Sequence, residues 1–318
     1  MSKNNNLHKA KTAKNDEFYT RYEDIANELK HYRKHFKGKT VLCNADDPRE
    51  SNFFKFFTNN FEKLGLKKVI ATCYKSQDVD LFSQQEGDQA VYQVYEGDKN
   101  GNRKVDDEEI AIQPLQGDGD FRSPEVIELL KEADIVVTNP PFSLFREYVQ
   151  QLVDYKKDFL ILGNNNAISV KDIFKLIRNN HLWLGVGSNI YMPFIMPDSY
   201  ELKATGWEED GKKYGKVPGI SWFTNLNHKK RKEELILYKS YSVDEYPTYD
   251  NYNAINVNKV SEIPTDYDGE MGVPITFLGK YNPSQFNIIG IDREVTDDKK
   301  RGWVNGKEVY ARIIIKKK

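Results

Sequence analysis

The chain is poor in cysteine. Only Cys43 and Cys73 occur in 318 residues, too few for a disulfide framework and without the paired spacing of a zinc site. Both lie beside apolar strand-like residues and are expected to be buried, reduced thiols. The five histidines form no HExxH or HxH pair, so no metal is expected. No apolar run approaches the length of a membrane span, which argues against a helical membrane protein. The opening MSKNNNLHKAKTAKNDEFYT is polar and basic, without the apolar core of a secretory signal. The expected address is the cytoplasm.

Net charge is also nearly absent, at −1, so the overall balance selects no partner. The distribution is more informative. Basic clusters lie at 8–14, 31–39, 228–232 (HKKRK), 299–301 and 316–318, while acid gathers at 106–109 and 208–210. Such segregation allows a positive, DNA-facing groove on a neutral protein, although any single run is as readily a solvated face.

From Lys39 to about Ile177, short apolar runs alternate with amphipathic stretches. Strands are expected at 39–44, 67–74, 134–139 and 158–164, and helices at 51–65, 123–133, 143–155 and 170–180. Ser123 followed by Pro124 is a helix-start signal. The succession predicts an α/β fold with a doubly wound, Rossmann-like and largely parallel sheet, residues 1–226. A smaller irregular lobe, residues 227–318, is expected to serve target recognition and DNA binding. In doubly wound sheets, ligands sit beyond the carboxyl ends of the strands. The segments after those strands are therefore the ones to inspect.

One of them is Asn139-Pro140-Pro141-Phe142, which ends the run DIVVT and opens a helix. Two prolines there make a stiff arc instead of the usual Gly, Asn or Asp turn. An amine on a nucleobase is a poor nucleophile because its lone pair is delocalised into the ring. Methylating it calls for acceptors on both amine hydrogens, which the Asn139 side chain and the Pro140 carbonyl supply, and for an aromatic such as Phe142 to stack on a base that has left its helix. Three other segments fit S-adenosylmethionine. Asp120 and Phe121 of GDGDF offer a carboxylate and a ring to an adenine. Phe18, Tyr19 and Thr20 of EFYT form a further aromatic and polar patch. Asn44, Asp46 and Asp47 of NADDP offer a grip on an ammonium.

The strings DEFYT, VLCNADDPRESNFF, GDGDFRS, ADIVVTNPPFSLFREYV, YDNYNAINVNK and MGVPITFLGKYNPSQF together resemble the EcoRI-type adenine-specific DNA methyltransferases of restriction-modification systems. The resemblance covers nearly all of the chain and is weakest at about 186–216 and 229–246. It implies a monomeric enzyme that flips an adenine from duplex DNA and methylates its exocyclic amine, paired with a restriction endonuclease acting on the same site without a stable complex. It implies target-base roles for Asn139, Pro140, Pro141 and Phe142, and cofactor roles for Tyr19, Thr20, Asp120 and Phe121. The loop Asn44 to Ser51 departs from the general methyltransferase pattern, having no glycine, and the acidic ribose ligand is missing after the second strand, where Lys75 and Asp78 are the available substitutes.

DNA contacts are expected from His228, Lys229, Lys230, Arg231 and Lys232 on phosphates, and from 249–259 and 299–305 on base edges. The spacing of Asp98, Asn100, Asn102, Asp106 and Glu109 imitates a calcium loop, but Arg103 stands where glycine is needed and the flanks read as strands; a hairpin tip is expected. Competing substrates are RNA or a protein glutamine, whose amines pose the same electronic problem. A catalytically silent DNA-binding relative is the remaining alternative.

Overall fold

The computed structural model describes residues 19–45, 51–72, 90–188, 190–196, 202 and 205–318. Two compact units emerge: Met1–Asn164 with Ile190–Leu226, and Asn165–Asn189 with Asn227–Lys318. The sequence pattern marks one boundary, at 226. Packing adds an excursion, residues 165–189, whose amphipathic helix reads like one more sheet-covering helix.

In the first unit, β1 (Tyr19–Thr20) leads into α1 (Tyr22–Leu29), β2 (Thr40–Asn44), α2 (Asn52–Asn59), α3 (Phe61–Leu64) and β3 (Lys68–Thr72). There follow β4 (Val91–Tyr95), β5 (Ile110–Pro114), α4 (Pro124–Glu132), β6 (Ile135–Thr138), α5 (Phe145–Asp154) and β7 (Asp158–Asn164). After the excursion come β8 (Ile190–Met196), β9 (Trp207–Glu209) and β10 (Lys212–Thr224). The sheet runs in the order β1-β8-β10-β7-β6-β2-β3-β4-β5, with β9 beside β10.

Only the centre is parallel. The pairs β2–β3, β2–β6 and β6–β7 are parallel, whereas β3–β4, β4–β5, β7–β10, β8–β10 and β1–β8 are antiparallel. The expectation of a largely parallel sheet is thereby corrected to a mixed one. The innermost strands β2 and β6 are wholly buried, as near-continuous runs such as Ile135–Thr138 require. Antiparallel neighbours need no crossover helix between them, and β4 with β5 forms a hairpin. That hairpin carries the calcium-like spacing on its tip. There Asp98 accepts from the Gly101 and Arg103 amides, both at 2.7 Å, and Asp106 from the Asn100 side chain at 2.8 Å. These carboxylates serve the turn, and among the described residues no acidic, His or Cys cluster suits a metal ion.

The helix expected over 51–65 is broken at Asn60, whose side-chain amide donates to the Phe56 carbonyl at 2.9 Å. That back-bond competes with the helix backbone. Gly65, at φ 62°, closes α3 in the left-handed conformation. Ser123 caps α4 by accepting from the Val126 amide at 3.4 Å, with Pro124 in the first turn. The main core of this unit gathers Phe53, Phe57, Val41, Val137, Leu160 and Trp222, among others. No helix among the described residues is long and apolar enough to cross a membrane.

The second unit contains α6 (Lys171–Arg178), β11 (Thr248–Tyr249), β12 (Tyr252–Asn256), β13 (Met271–Pro274), β14 (Phe286–Ile291), α7 (Asp292–Val295), β15 (Trp303–Val304), β16 (Lys307–Glu308) and β17 (Arg312–Lys317). Its sheet has the order β11-β12-β13-β17-β14. Helix α6 packs against β14, and Arg178 pairs with Glu294 at 3.2 Å. This lobe is therefore a sheet with a core of its own, built on Tyr249, Ala254 and Ile314, more regular than its Asn- and Tyr-rich sequence suggests.

Candidate active site

Strands β2, β3, β6 and β7 point the same way, so their carboxyl ends share one rim. From β2 the chain first moves to β3 on one side; it later returns to β6 on the other side. That reversal makes the carboxyl ends of β2 and β6 a topological switch point, the place where open α/β sheets bind ligands. Asn44 is the last residue of β2, and Asn139 follows the last residue of β6.

Asn139 is buried, with 8% of its surface exposed. The chain then turns through Pro140 and Pro141 into a single 3-10 turn, Phe142–Leu144, that feeds α5. The Leu144 amide takes the Pro141 carbonyl at 2.9 Å, while the Pro140 carbonyl accepts from no described residue. Proline cannot donate, so the Pro140 and Pro141 backbone presents acceptors only. Phe142 is half-buried and leans on the main core, which fixes one side of its ring.

Asn44 is held by two neighbours. Its carbonyl accepts from Thr138 Oγ1 at 2.6 Å, and its side-chain oxygen accepts from the Tyr148 hydroxyl. The next residue, Ala45, has φ of 140°, a conformation that L side chains rarely adopt and glycine takes freely. The glycine-free loop thus begins with the backbone conformation of a glycine. Ala45→Gly is expected to stabilise the protein by about 1 kcal/mol through relief of that strain, read as a higher urea midpoint; an unchanged or lower midpoint would show that the strain is absent. Asp46, Asp47, Lys75, Asp78 and Phe18, and the basic cluster at 8–14, lie outside the described residues.

The GDGDF loop is pinned from α4: Glu125 accepts from the Gln116 and Gly117 amides at 2.9 and 2.8 Å. Asp120 accepts three bonds from Arg122, one from its amide and two from its guanidinium. Arg122 in turn reaches Glu147 at 3.3 Å. The guanidinium holds the Asp120 carboxyl below the usual carboxylate range, so it stays ionised at neutral pH. A carboxylate has about four lone-pair positions, which leaves capacity for one further donor. Phe121 is half-exposed and packs against the small apolar cluster of Ala90, Leu115 and Val126. Its ring meets Tyr148 edge-on, 5.1 Å between centroids.

β1 pairs with β8, Thr20 opposite Phe194. The Thr20 carbonyl accepts from Asn52 at the start of α2, at 2.8 Å, which ties β1 to the far end of the loop that follows β2. The Thr20 hydroxyl is buried and has no hydrogen-bond partner among the described residues, a position that a bound polar ligand would complete. An ionised Asp120 with the half-exposed Phe121 ring beside it, and this hydroxyl on β1, are groups whose chemistry fits a nucleoside-containing, positively charged ligand.

The residues that sequence reasoning missed are Asn52, Glu125, Tyr148 and Gln151. None contributes to a motif of its own. Their only advance signal is position, within the first two turns of helices that follow the candidate loops.

In the second unit, the HKKRK run does not present five cations outward. His228 is buried, its Nε2 3.0 Å from the Leu184 carbonyl. Lys230 donates to the Val186 carbonyl at 2.9 Å. Arg231 lies 3.7 Å over the Trp183 ring and donates to Asn180 at 2.7 Å. Lys229 and Lys232 are exposed. Of the residues expected to read bases, Asn251 bonds Asp298 and the Arg301 carbonyl, both at 3.0 Å, and Asn256 is buried against Tyr249 and Arg312. Asn256, buried and already holding its own lobe together, is not available to a groove.

Comparison with known proteins bears on this arrangement. The family model described as "Adenine-specific methyltransferase EcoRI" matches residues 6–318. The chain is 51% identical to type II methyltransferase M.EcoRI of Escherichia coli, over 98% of this chain and 96% of that protein. It is 42% identical to type II methyltransferase M.MpnI of Mycoplasma pneumoniae, over 98% of each chain. The corresponding figure for type II methyltransferase M.MgeORF184P of Mycoplasma genitalium is 40%, again over 98% of each chain. No solved structure gives a significant match.

Proposed function

The chain belongs to the family of EcoRI-type adenine-specific methyltransferases, and from that membership we propose that its first unit moves a methyl group from S-adenosylmethionine to the exocyclic amine of an adenine turned out of duplex DNA. The protein is an adenine-specific DNA methyltransferase of the type II class. The observation that carries the residue-level reading is the buried Asn139 side chain followed by a proline carbonyl at the switch point, on the rim where β2 ends at Asn44.

Asn139 Oδ1 and the Pro140 carbonyl accept the two amine hydrogens. With those hydrogens held out of the ring plane, the nitrogen regains its lone pair for attack. Phe142 stacks on the base and replaces the neighbours that it lost on leaving the helix. When bound, S-adenosylmethionine supplies an electrophilic methyl group on a positively charged sulfur. Phe121 would lie against its adenine, Asp120 would offer its remaining acceptor position to the adenine amine, Thr20 would close its far side, and Asn44 would receive the methionine end. Neither acceptor on the target amine is a base of useful strength at neutral pH, so the proton shed after transfer passes to solvent.

In the second unit, Lys229 and Lys232 are the members of HKKRK that remain for DNA phosphates. Each phosphate contact contributes about 0.9 to the slope of log affinity against log salt. Lys229→Ala with Lys232→Ala is therefore expected to flatten that slope by about 2 without altering the modified sequence. An unchanged slope would remove both residues from the interface. Action as a monomer, beside an endonuclease that cuts the same site without forming a stable complex, completes the proposal. RNA and protein glutamine gain no support from the relatives, all named as type II methyltransferases. The cofactor is tested by incubating duplex DNA with methyl-labelled S-adenosylmethionine: label enters the DNA and S-adenosylhomocysteine competes for it. Transfer that is indifferent to S-adenosylhomocysteine would contradict the assignment.

A further inference from the structure

Helix α5 starts from the catalytic turn, yet its inner face touches both loops assigned to the cofactor. Tyr148 is 1% exposed. Its hydroxyl donates to the Asn44 side-chain oxygen at the end of β2, and its ring stands edge-on to Phe121, 5.1 Å away at 69°. Three residues on, and so on the same helical face, Gln151 Nε2 donates to the Phe121 carbonyl at 2.9 Å. Phe145, at the head of the helix, is locked edge-on to Phe223 at 4.9 Å. The helix thus cannot turn or slide without disturbing Asn44, Phe121 and the Phe142 turn together.

A tyrosine used only for packing would be as well served by phenylalanine. Here the hydroxyl is buried, and a buried hydroxyl without a partner is costly, so the bond to Asn44 is the reason that the polar atom is tolerated. Burial pushes the phenol far above its ordinary range; it therefore remains a neutral donor at every working pH. Asn44 has one amide to orient. With its oxygen taken by Tyr148, its NH2 group must face elsewhere.

We propose that Tyr148 is a positioning residue for cofactor binding: its hydroxyl fixes the rotamer of Asn44 while its ring, with Gln151, sets the height of Phe121, so that both cofactor loops are held in register with the Asn139-Phe142 turn. This inference rests on the cofactor roles assigned above to Asn44 and Phe121. It predicts a particular division of effects. Loss of the hydroxyl frees Asn44 and weakens the cofactor, whereas the acceptors on the target amine, in the turn that precedes the helix, stay in place.

The test is calorimetric titration of S-adenosylhomocysteine into the full-length protein, for Tyr148→Phe, Asn44→Ala and the double variant, with steady-state kinetics on duplex DNA beside it. Tyr148→Phe is expected to weaken binding about tenfold, the scale of one buried hydrogen bond. The KM for S-adenosylmethionine should rise in proportion, and kcat at saturation should stay within about threefold of the parent. In the Asn44→Ala background the same change should add nothing, because the two residues act as one unit. Losses that add, or a Tyr148→Phe protein that binds normally while Asn44→Ala does not, would overturn the positioning role and leave the cofactor assignment standing. Normal binding by both single variants would instead remove Asn44 from the cofactor site and the inference with it. Should Tyr148→Phe fail to fold, Gln151→Leu reads the same coupling through Phe121, and an unaltered cofactor affinity there overturns the proposal equally.

Discussion

Asn139→Ala should lower kcat by at least about 10²-fold to 10³-fold, the loss that follows removal of one preorganised polar group from a site of charge development. The substitution removes an acceptor that the reaction needs and leaves the proline arc and the cofactor loops intact. Binding of S-adenosylhomocysteine and of DNA should therefore remain within about threefold of the parent, so that the loss appears in kcat and not in KM. Asn139 is buried at the end of a fully buried strand, and alanine there leaves a small cavity. A fall in thermal midpoint large enough to account for the lost rate would reassign Asn139 to structure.

Gly163→Ala is expected to be the most damaging single methyl in the first unit. A Cβ on Gly163, in β7, would lie 2.4 Å from Cε2 and 2.8 Å from Cζ of Phe145. Phe145 is buried against Phe223 and cannot retreat without moving the head of α5. Overpacking of this kind costs about 1–3 kcal/mol. It should also lower activity by about tenfold, because Phe145 lies three residues beyond Phe142 and the displacement is passed to the turn that holds the base. Phe145→Leu in the same chain should restore part of both losses by vacating the ring edge. A Gly163→Ala protein with the parent midpoint and rate would show that the close approach has no consequence.

The parts of this arrangement that sequence made legible are those set by local rules. Continuous apolar runs at 40–44 and 135–138 are what buried parallel strands require, and the Ser123-Pro124 start of α4 follows from capping chemistry. NPPF was visible because proline is an unusual way to leave a buried strand. The antiparallel flanks were not visible. Nothing in a run such as VYQVY records the direction of its neighbour, and register is a tertiary outcome. Tyr148 illustrates a second limit of pattern reading: on an amphipathic helix its period marks it as core, and only the position of Asn44, 104 residues away in sequence, gives its hydroxyl a purpose. The HKKRK run shows a third. Charge can be counted in a sequence, but direction cannot, and Arg231 spends its cation on Trp183 while His228 is folded inward. Asn251 and Asn256 were likewise drawn into bonds within their own lobe.

The central claim is that an acceptor pair at the switch point of the first sheet prepares the amine of an extruded adenine for methyl transfer. Its most direct test is digestion of duplex DNA, after reaction with labelled S-adenosylmethionine, to nucleosides identified by mass, with Asn139→Ala run in parallel. The account predicts label in N6-methyladenine alone, formed by the parent protein and nearly absent with the variant. Label in a methylated cytosine, or N6-methyladenine formed equally well without the Asn139 side chain, would contradict it.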